Sequence, residues 1–546
     1  MDNMKSKYRK ALIVLLFAAL LTGCNQNFPE EEETTVEIEL NNNRSNEVEI
    51  HLSDSDIRVD GKEVSKDSGK SVYVANDIIY YEDGKDFTYG EGETDDAHSK
   101  EDALAHNVLH ITKPGTYRIS GKLSKGQLAV DLGEDAKDNP ESVVTLVLDG
   151  VELTCEVAPA VIFYNVYECG NDDLDQASKD VDTSKAGANV VIADGTTNTI
   201  NGSYVARIYE PDSVVLNEDK TEVTDADKLH KYDGAFYSRM SMNVNGGDEN
   251  SGVLNIHAAN EGLDSEMHLT INGGNINIDS GNDGINTNED GISVTTINGG
   301  NLTITVNGKT GEGDGIDSNG WLVINGGVVK AAACSDSADA GIDSDMGIHI
   351  LGGTVMASGH MLDRIEDGGQ TYAVFHFTQK QNGAEEILLK DKDGTSLMEY
   401  TPQNAYSMLI YSSGELSEGT YSLWSDKKQL EGQNGGMMGG FGKPEMDAEG
   451  MTPPEKDENM QPPEGMEPPE GMELPEGGQQ PEGMEPPEGV ERPERMEPSE
   501  GMELPEGVKP PDARNQLSDN QNVQSSSVDF QMKNGANMFT GIKYAE

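Results

Sequence analysis

Glycine pairs recur at nearly constant spacing in the second half of the chain, at intervals of 27, 26, 27 and 26 residues. The five pairs are Gly246-Gly247, Gly273-Gly274, Gly299-Gly300, Gly326-Gly327 and Gly352-Gly353. So constant a period indicates a structural repeat, because the stacking of equal units imposes one length on the chain again and again. Short β-branched runs flank the pairs, and no helical period fits them. The sequence therefore predicts an all-β fold, a parallel β-helix with one coil per repeat.

The charge of the chain limits its partners. The 546 residues include 39 Lys plus Arg and 99 Asp plus Glu, which gives a formal net charge of −60. Nucleic acid and anionic membrane surfaces are therefore poor partners unless a cation intervenes. Aromatic residues make up only 5% of the chain, which fits a narrow aliphatic interior.

The first residues have the pattern of an export signal. Four basic residues within the first ten positions precede an apolar run over 11–21, which is too short to span a bilayer. The run ends in Leu21-Thr22-Gly23-Cys24, which resembles the lipobox of bacterial lipoproteins. We therefore predict a signal peptide over 1–23, lipidation of Cys24 and attachment to the outer face of the cytoplasmic membrane by lipid alone. The alternative is an ordinary secretory signal that ends near a cysteine.

Changes in composition predict the domain boundaries. Sixteen of the 22 prolines lie between residues 435 and 511, in acidic near-repeats that cannot bury a core. The amphipathic strands that follow the regular coils suit a small β domain that covers the open end of the solenoid. The predicted segments are a polar linker over 24–70, the β-helix over 71–369, a small β cap over 370–430, a disordered Pro/Glu/Gly/Met-rich spacer over 431–527 and a C-terminal segment over 528–546.

A second motif, an acid or small residue followed by glycine, accompanies four of the coils. Its copies are Glu261-Gly262-Leu263-Asp264-Ser265-Glu266, Asp283-Gly284-Ile285-Asn286-Thr287-Asn288, Asp314-Gly315-Ile316-Asp317-Ser318-Asn319 and Ala340-Gly341-Ile342-Asp343-Ser344-Asp345. Because side chains alternate along a strand, the aliphatic and hydroxyl positions should point inward and the acids and amides outward. The sequence thus predicts an outward ridge of acids on successive coils.

Carboxylates stacked at the strand spacing of roughly 4.8 Å repel one another unless they protonate, spread into water or share a cation. Carboxylate and amide oxygens on one ridge suit Ca²⁺, which takes oxygen ligands. The alternative is a row of solvated turns. The predicted ligands are Glu261, Asp264, Glu266, Asp283, Asn286, Asp314, Asp317, Asp343 and Asp345.

Signals for catalysis are few, and no catalytic residue is predicted. A calcium-dependent lyase needs a lysine or arginine base, and the basic residues near the ridge do not repeat with it. They are Lys231, Arg239, Lys309, Lys330 and Arg364. The remaining cysteines, Cys155, Cys169 and Cys334, are interpreted as small buried side chains, although an exported pair can form a disulfide.

Most of residues 105–430 resembles the calcium-associated carbohydrate-binding β-helix lipoproteins of Gram-positive bacteria. The resemblance rests on residues 111–121, 146–151, 193–200 and 236–238 together with the repeated coils. It implies a right-handed helix like that of pectate lyases, Ca²⁺ on its flank, and binding of acidic polysaccharide such as polygalacturonate without cleavage. Asn286 and Ala340 depart from the acidic pattern of the motif.

The sequence thus predicts a monomeric, lipid-anchored surface protein that binds acidic polysaccharide through calcium. Two alternatives remain open at this point. One is a calcium-dependent polysaccharide lyase, and the other is a structural surface or spore-associated β-helix whose calcium only stiffens the fold.

Overall fold

The computed structural model describes residues 46–227, 231–435 and 526–545. The predicted signal peptide, Cys24 and nearly all of the proline-rich spacer lie outside these ranges. The described residues from Glu47 onward belong to one compact unit. Among the described residues, no helix is both long enough and apolar enough to cross a membrane.

The described chain is almost entirely β. It has one short helix, α1 (Lys100–Leu104), and 3₁₀ turns at Thr94–Asp96, Glu134–Asp138 and Leu174–Gln176. The strands of the first half are β1 (Glu47–Leu52), β2 (Arg58–Val59), β3 (Lys62–Glu63), β4 (Val72–Ala75), β5 (Asn107–Ile111), β6 (Gly115–Leu123), β7 (Gly126–Asp131), β8 (Val144–Thr154), β9 (Val161–Asn165), β10 (Ala188–Ile192), β11 (Thr197–Gly202), β12 (Val215–Leu216) and β13 (Val223–Asp225).

Shorter strands follow through the glycine repeats. They are β14 (Gly234–Ser238), β15 (Met242–Gly246), β16 (Val253–Ala258), β17 (Glu261–Ser265), β18 (Leu269–Ile271), β19 (Asn275–Ser280), β20 (Ile285–Thr287), β21 (Val294–Ile297), β22 (Asn301–Val306), β23 (Trp321–Ile324), β24 (Val328–Ala332), β25 (Gly347–Ile350) and β26 (Thr354–Gly359).

The last strands are β27 (Tyr372–Gln381), β28 (Ile387–Asp391), β29 (Ser396–Tyr400), β30 (Tyr406–Ser413), β31 (Gly419–Ser425), β32 (Lys428–Asn434), β33 (Phe530–Met532) and β34 (Ala536–Tyr544). Most of them pair antiparallel, and β30 joins the cap to β26. Strands β33 and β34 complete the cap, so the C-terminal segment belongs to the same sheet as residues 372–434.

The repeats form parallel ladders that take their strands in chain order. One ladder runs β8–β10–β15–β18–β21–β23–β25, and a second runs β8–β11–β16–β19–β22–β24–β26. The third, β5–β7–β9–β14–β17–β20, lies in a separate seven-stranded sheet. Each repeat thus adds one rung to the first two ladders, as a constant period requires.

The glycine pairs mark the same position on successive rungs. The residues two positions before each pair stand in register across the first ladder, in the order Val244, Ile271, Ile297, Ile324 and Ile350. These aliphatic side chains are at most 1% exposed. The repeat frame read from the sequence is therefore confirmed as the frame of strand pairing.

Regular structure begins earlier than the composition suggests. Strand β1 lies inside the predicted linker over 24–70, yet it pairs parallel with β6 along its full length. Its inward residues Ile50 and Leu52 are each 1% exposed. A polar stretch conceals this strand because only alternate side chains need to be apolar when one face of a sheet is wet.

Candidate functional site

Strands β17 and β20 align the acid–glycine motif. Leu263 pairs with Ile285 and Asp264 with Asn286, and a further bridge joins Ile285 to Ile316. The aliphatic residues of the four copies, Leu263, Ile285, Ile316 and Ile342, are fully buried. The sequence prediction that these aliphatic side chains are interior on successive repeats is confirmed.

The predicted hydroxyl positions are also interior. Ser265, Thr287, Ser318 and Ser344 are at most 3% exposed. The Thr287 and Ser318 hydroxyl oxygens lie 2.8 Å apart, so at least these two neighbouring coils share a hydrogen bond. This bond helps to hold the two repeats, and the acids next to these hydroxyls, in register.

The glycines of the motif allow the coils to approach closely. A Cβ built on Gly262 would lie 2.4 Å from the Gly284 carbonyl oxygen, and one on Gly315 would lie 2.3 Å from that of Gly341. The same addition at Gly284 meets the Gly315 carbonyl at 2.6 Å. These positions therefore need glycine because backbone from the next coil occupies the space of a side chain.

A buried acidic cluster forms where β14 and β17 begin. Asp233, Glu261 and Asp264 each bring a carboxylate oxygen to within 4.8 Å of the other two. The three residues are 5%, 3% and 0% exposed. Only Glu261 and Asp264 were predicted from the sequence.

Several oxygens of this cluster have no hydrogen-bond partner among the described residues. They are Asp233 Oδ1, Glu261 Oε2, Asp264 Oδ2 and the neighbouring Asn286 Oδ1. Asn286 Nδ2 donates to Glu261 Oε1 at 3.3 Å, which keeps the amide beside the acids. A buried acceptor without a donor costs about 1–3 kcal/mol, and protonation of the acids or a shared cation would each satisfy these oxygens.

This part of the ridge is buried, although the sequence predicts that it faces outward. Asp264 and Asn286 are 0% and 8% exposed, so neither is a solvated turn residue. Neighbouring segments cover them: Asn288 donates to Asp264 Oδ1 at 2.7 Å, and the excursion before β14 brings Asp233 against the cluster. A strand face can be buried by such insertions even where the alternation of the strand itself points it away from the core.

Burial dominates the electrostatics of the cluster. It raises the pKa of Glu261 and of Asp264 well above their ordinary values, and neighbouring carboxylates raise them further. Burial also raises the pKa of Asp233 to about 6, although the ammonium of Lys231 opposes this. Lys231 Nζ lies 2.6 Å from Asp233 Oδ2, and its side chain is 44% exposed.

A second acidic cluster lies two coils further along. Asp314, Asp317 and Asp343 bring carboxylate oxygens to within 4.8 Å of one another and are partly exposed. Burial, with repulsion from the neighbouring carboxylates Asp363 and Asp317, raises the pKa of Asp343 to about 7.

Asp283 lies between the two clusters. Its Oδ1 accepts a hydrogen bond from the Asp314 backbone N–H at 2.6 Å. Burial raises the pKa of Asp283 to about 8, and the Asp317 carboxylate is the largest electrostatic contribution. The repulsion felt at Glu261 also includes Asp283, so the two clusters form one electrostatically connected line.

Four of the predicted ligands are members of neither cluster: Asp283 and Asn286 lie beside the clusters, and Glu266 and Asp345 do not join them. Glu266 accepts a hydrogen bond from the Tyr237 hydroxyl at 2.5 Å, and Asp345 is an exposed residue on the fourth coil. Sequence reasoning missed Asp233 and the role of Lys231 beside it. The sequence signal for Asp233 is the dipeptide Asp233-Gly234. It repeats the acid–glycine step of the motif at the start of β14, the strand that pairs with β17.

The clusters offer only oxygen ligands. Carboxylates and one amide suit a hard cation such as Ca²⁺, whereas zinc sites draw on histidine and cysteine. The nearby His268 is 2% exposed, and its Nδ1 accepts a hydrogen bond from the Val294 backbone N–H at 3.1 Å. Burial lowers the pKa of His268 to about 4, which fits a neutral structural histidine.

Comparisons with known proteins address the region that carries these clusters. Residues 105–371 match the model of a family described as "Carbohydrate-binding domain-containing protein". This part of the chain resembles that family. A curated protein of the same description from Acetivibrio thermocellus is 27% identical over 178 residues, which are 32% of this chain and 46% of the relative. The chain thus spans less than half the length of that relative.

A solved structure is also similar. It is described as the polysaccharide lyase-like protein from C. thermocellum, in a gadolinium derivative. The two sequences are 21% identical, and the TM-score is 0.33. The match covers 57% of this chain and 90% of the other.

Proposed function

We propose that this protein binds acidic polysaccharide of the polygalacturonate type through a domain loaded with Ca²⁺. The observation that carries the proposal is the set of buried oxygens without hydrogen-bond donors on Asp233, Glu261, Asp264 and Asn286. The match of residues 105–371 to a carbohydrate-binding family supports polysaccharide as the class of partner.

Calcium reconciles the acidity of the site with an acidic ligand. The chain carries a formal net charge of −60, so a polyanion is repelled at long range. Ca²⁺ takes six to eight oxygen ligands, more than either cluster supplies by itself, and a uronate carboxylate can complete the coordination. The partly exposed cluster of Asp314, Asp317 and Asp343 is the better place for such bridging, and the buried cluster is the better place for an ion that stabilises the fold.

We also propose that the three parallel ladders close into a right-handed parallel β-helix. The common chain order of the ladders and the rung-by-rung register of the glycine pairs support this arrangement. A crystal structure in which the ladders form separate open sheets would contradict it.

Calorimetry with polygalacturonate tests the proposed function. We expect binding in Ca²⁺ that disappears in excess chelator and returns when Ca²⁺ is restored. The variant Asp317→Asn should bind less polymer, whereas Glu399→Gln, at an exposed strand position outside the site, should behave like the wild type. Binding that persists unchanged in chelator contradicts the proposal.

A lyase remains the second candidate because Lys231 lies beside the buried acids. In a β-elimination, a neutral lysine takes the proton from the carbon next to the uronate carboxylate, the bond to the leaving sugar oxygen breaks, and that oxygen is protonated. The 2.6 Å contact with Asp233 holds the ammonium in its charged form, which opposes this role unless a cation displaces it. Incubation with polygalacturonate and Ca²⁺ decides the matter, because elimination leaves unsaturated sugar ends and binding does not.

The location at the cell surface is a proposal that rests on the motif ending at Cys24. The variant Cys24→Ala should abolish incorporation of labelled fatty acid and release the protein from the membrane fraction. Unchanged membrane retention in that variant would count against the lipid anchor.

A further inference from the structure

A shallow groove edged by polar side chains lies on a face of the molecule that the acidic clusters do not use. Its volume is about 290 Å³, and outward residues of β16, β19 and β22 line it together with Gln403 and the backbone positions of Ile256 and Ile278. We propose that this groove binds the sugar hydroxyls of the polysaccharide. The inference rests on the proposed function and adds the surface on which the polymer lies.

The strand register builds the groove from equivalent positions. Asn255, Asn277 and Thr303 are paired across the three strands, and the next outward row is His257, Asp279 and Thr305. The intervening side chains Leu254, Ile256, Ile276, Ile278, Leu302 and Ile304 are buried in the interior. Because the inward set is buried, the polar set must face outward.

Hydrogen bonds between strands hold the groove residues in place. Asn277 Nδ2 donates to Asn255 Oδ1 at 2.9 Å, and Asn307 Nδ2 donates to Asp279 Oδ1 at 2.8 Å. Each bond fixes the orientation of an amide or carboxylate that keeps further hydrogen-bonding capacity for a ligand. The groove is thus pre-organised, which lowers the entropic cost of binding.

A fixed loop from the cap forms the wall. Gln403 lies in the turn between β29 and β30, and the adjacent Asn404 anchors that turn to the ends of two coil strands. Asn404 Nδ2 donates to the Val306 carbonyl at 2.6 Å and to the Ala333 carbonyl at 2.7 Å. The Ala405 backbone N–H donates to Ser335 Oγ at 3.0 Å. The wall therefore belongs to the framework of the coils.

The chemistry of the groove favours a sugar polymer. Amide, hydroxyl, imidazole and carboxylate groups supply both donors and acceptors, which match sugar hydroxyls that also do both. Lys330 continues the Asn255 row on the next strand and adds a positive charge suited to a uronate. Parallel strands roughly 4.8 Å apart repeat the row at regular intervals, as a polymer of repeating units requires.

The groove is close enough to the acidic line for one polymer to contact both. Asp279 on the groove row and Asp283 on the acidic line are four residues apart in the sequence. The backbone therefore limits the distance between their Cα atoms to about 14 Å. A chain of a few sugars can therefore place hydroxyls in the groove and a carboxylate at a bound cation. Attachment at two points would give a higher affinity than cation bridging alone.

The test compares two asparagine variants in calcium-saturated protein, with polygalacturonate as the probe. Asn277→Ala removes one inter-coil amide bond of 2.9 Å inside the groove, and Asn325→Ala removes one of 2.8 Å on the distant glycine-turn ladder. We expect Asn277→Ala combined with Thr303→Ala to weaken polymer binding at least about tenfold, while Asn325→Ala binds like the wild type. Calcium affinity should match across all variants, and Asn277→Ala and Asn325→Ala should each show a similar small decrease in melting temperature.

Each outcome bears on a different conclusion. If the groove double variant binds polygalacturonate as tightly as Asn325→Ala, the groove is not the binding surface, although the proposed calcium-dependent function stands. If the wild type itself fails to bind in Ca²⁺, both conclusions fall. Gln403→Ala provides a second measurement at the wall, where the exposed side chain is removed without loss of an inter-strand bond.

Discussion

Removal of calcium should make the stability of this domain fall as pH rises from about 4 to 7. The cause is the buried cluster of Asp233, Glu261 and Asp264, whose pKa values are all raised by burial. A carboxyl with a higher pKa in the folded protein binds more protons there than in the unfolded chain. Its contribution is therefore complete below the unfolded pKa and is lost as pH rises through the folded pKa.

The pKa of Asp233 gives the size of the expected loss in the free energy of unfolding. Its pKa rises from 3.8 to about 6, and about 2 units at about 1.4 kcal/mol each give roughly 3 kcal/mol. Glu261 and Asp264 shift in the same direction and add to this value. In a domain larger than 250 residues, where 1 kcal/mol moves the melting temperature by roughly 2 °C, Asp233 alone corresponds to about 6 °C.

Differential scanning calorimetry in chelator, at constant ionic strength, measures this slope. With Ca²⁺ present the slope should reverse, because the ion binds the deprotonated carboxylates and protonation competes with it. The double variant Asp233→Asn/Glu261→Gln should flatten the chelator curve, whereas Glu399→Gln, at an exposed position, should leave it parallel to the wild type. A melting temperature in chelator that rises from pH 5 to 7 would refute the assignment of these acids as buried and protonated.

Three further perturbations test separate parts of the structure. Lys231→Met should raise calcium affinity about 5- to 30-fold by calorimetry, because an ion pair with Asp233 no longer has to open. Asn298→Ala should lower the free energy of unfolding by about 1–2 kcal/mol in a urea titration, since it removes two side-chain amide bonds of 2.8 Å, one to Asn272 and one from Asn325. An unchanged midpoint would show these bonds to be energetically neutral. Gly315→Ala should lower the free energy of unfolding by about 1–3 kcal/mol and weaken calcium binding, because the added methyl group would lie 2.3 Å from the Gly341 carbonyl oxygen. Wild-type stability and wild-type calcium affinity in this variant would contradict the close approach.

The repeat frame was predictable because backbone geometry imposes it directly. A fixed length between Gly273 and Gly299 reports one rung of a ladder, and alternation places Ile276 and Ile278 in the interior. The inward hydroxyl row could be predicted for the same reason, since it needs only the side-chain period of a strand.

The burial of the acids could not be predicted in this way. Whether Asp264 meets water depends on segments that lie far from it in sequence or on another coil, among them the excursion that ends at Asp233 and the side chain of Asn288. Alternation assigns a side chain to a face, but it does not say what covers that face. The same limitation applies to β1, because its burial depends on pairing with β6, more than 60 residues away by the register of Glu47 and Thr116.

Strand β34 changes how the end of the chain should be handled. It pairs with β27 and β32, so the described residues on the two sides of 436–525 belong to the same sheet. Phe530 and Phe539, each at most 2% exposed, contribute rings to the cap around Phe375. A shortened protein that stops before residue 526 would therefore lose part of the cap core. A protease cut between 436 and 525 would instead yield two polypeptides that stay associated as a nicked protein, visible on a denaturing gel but not by size-exclusion chromatography.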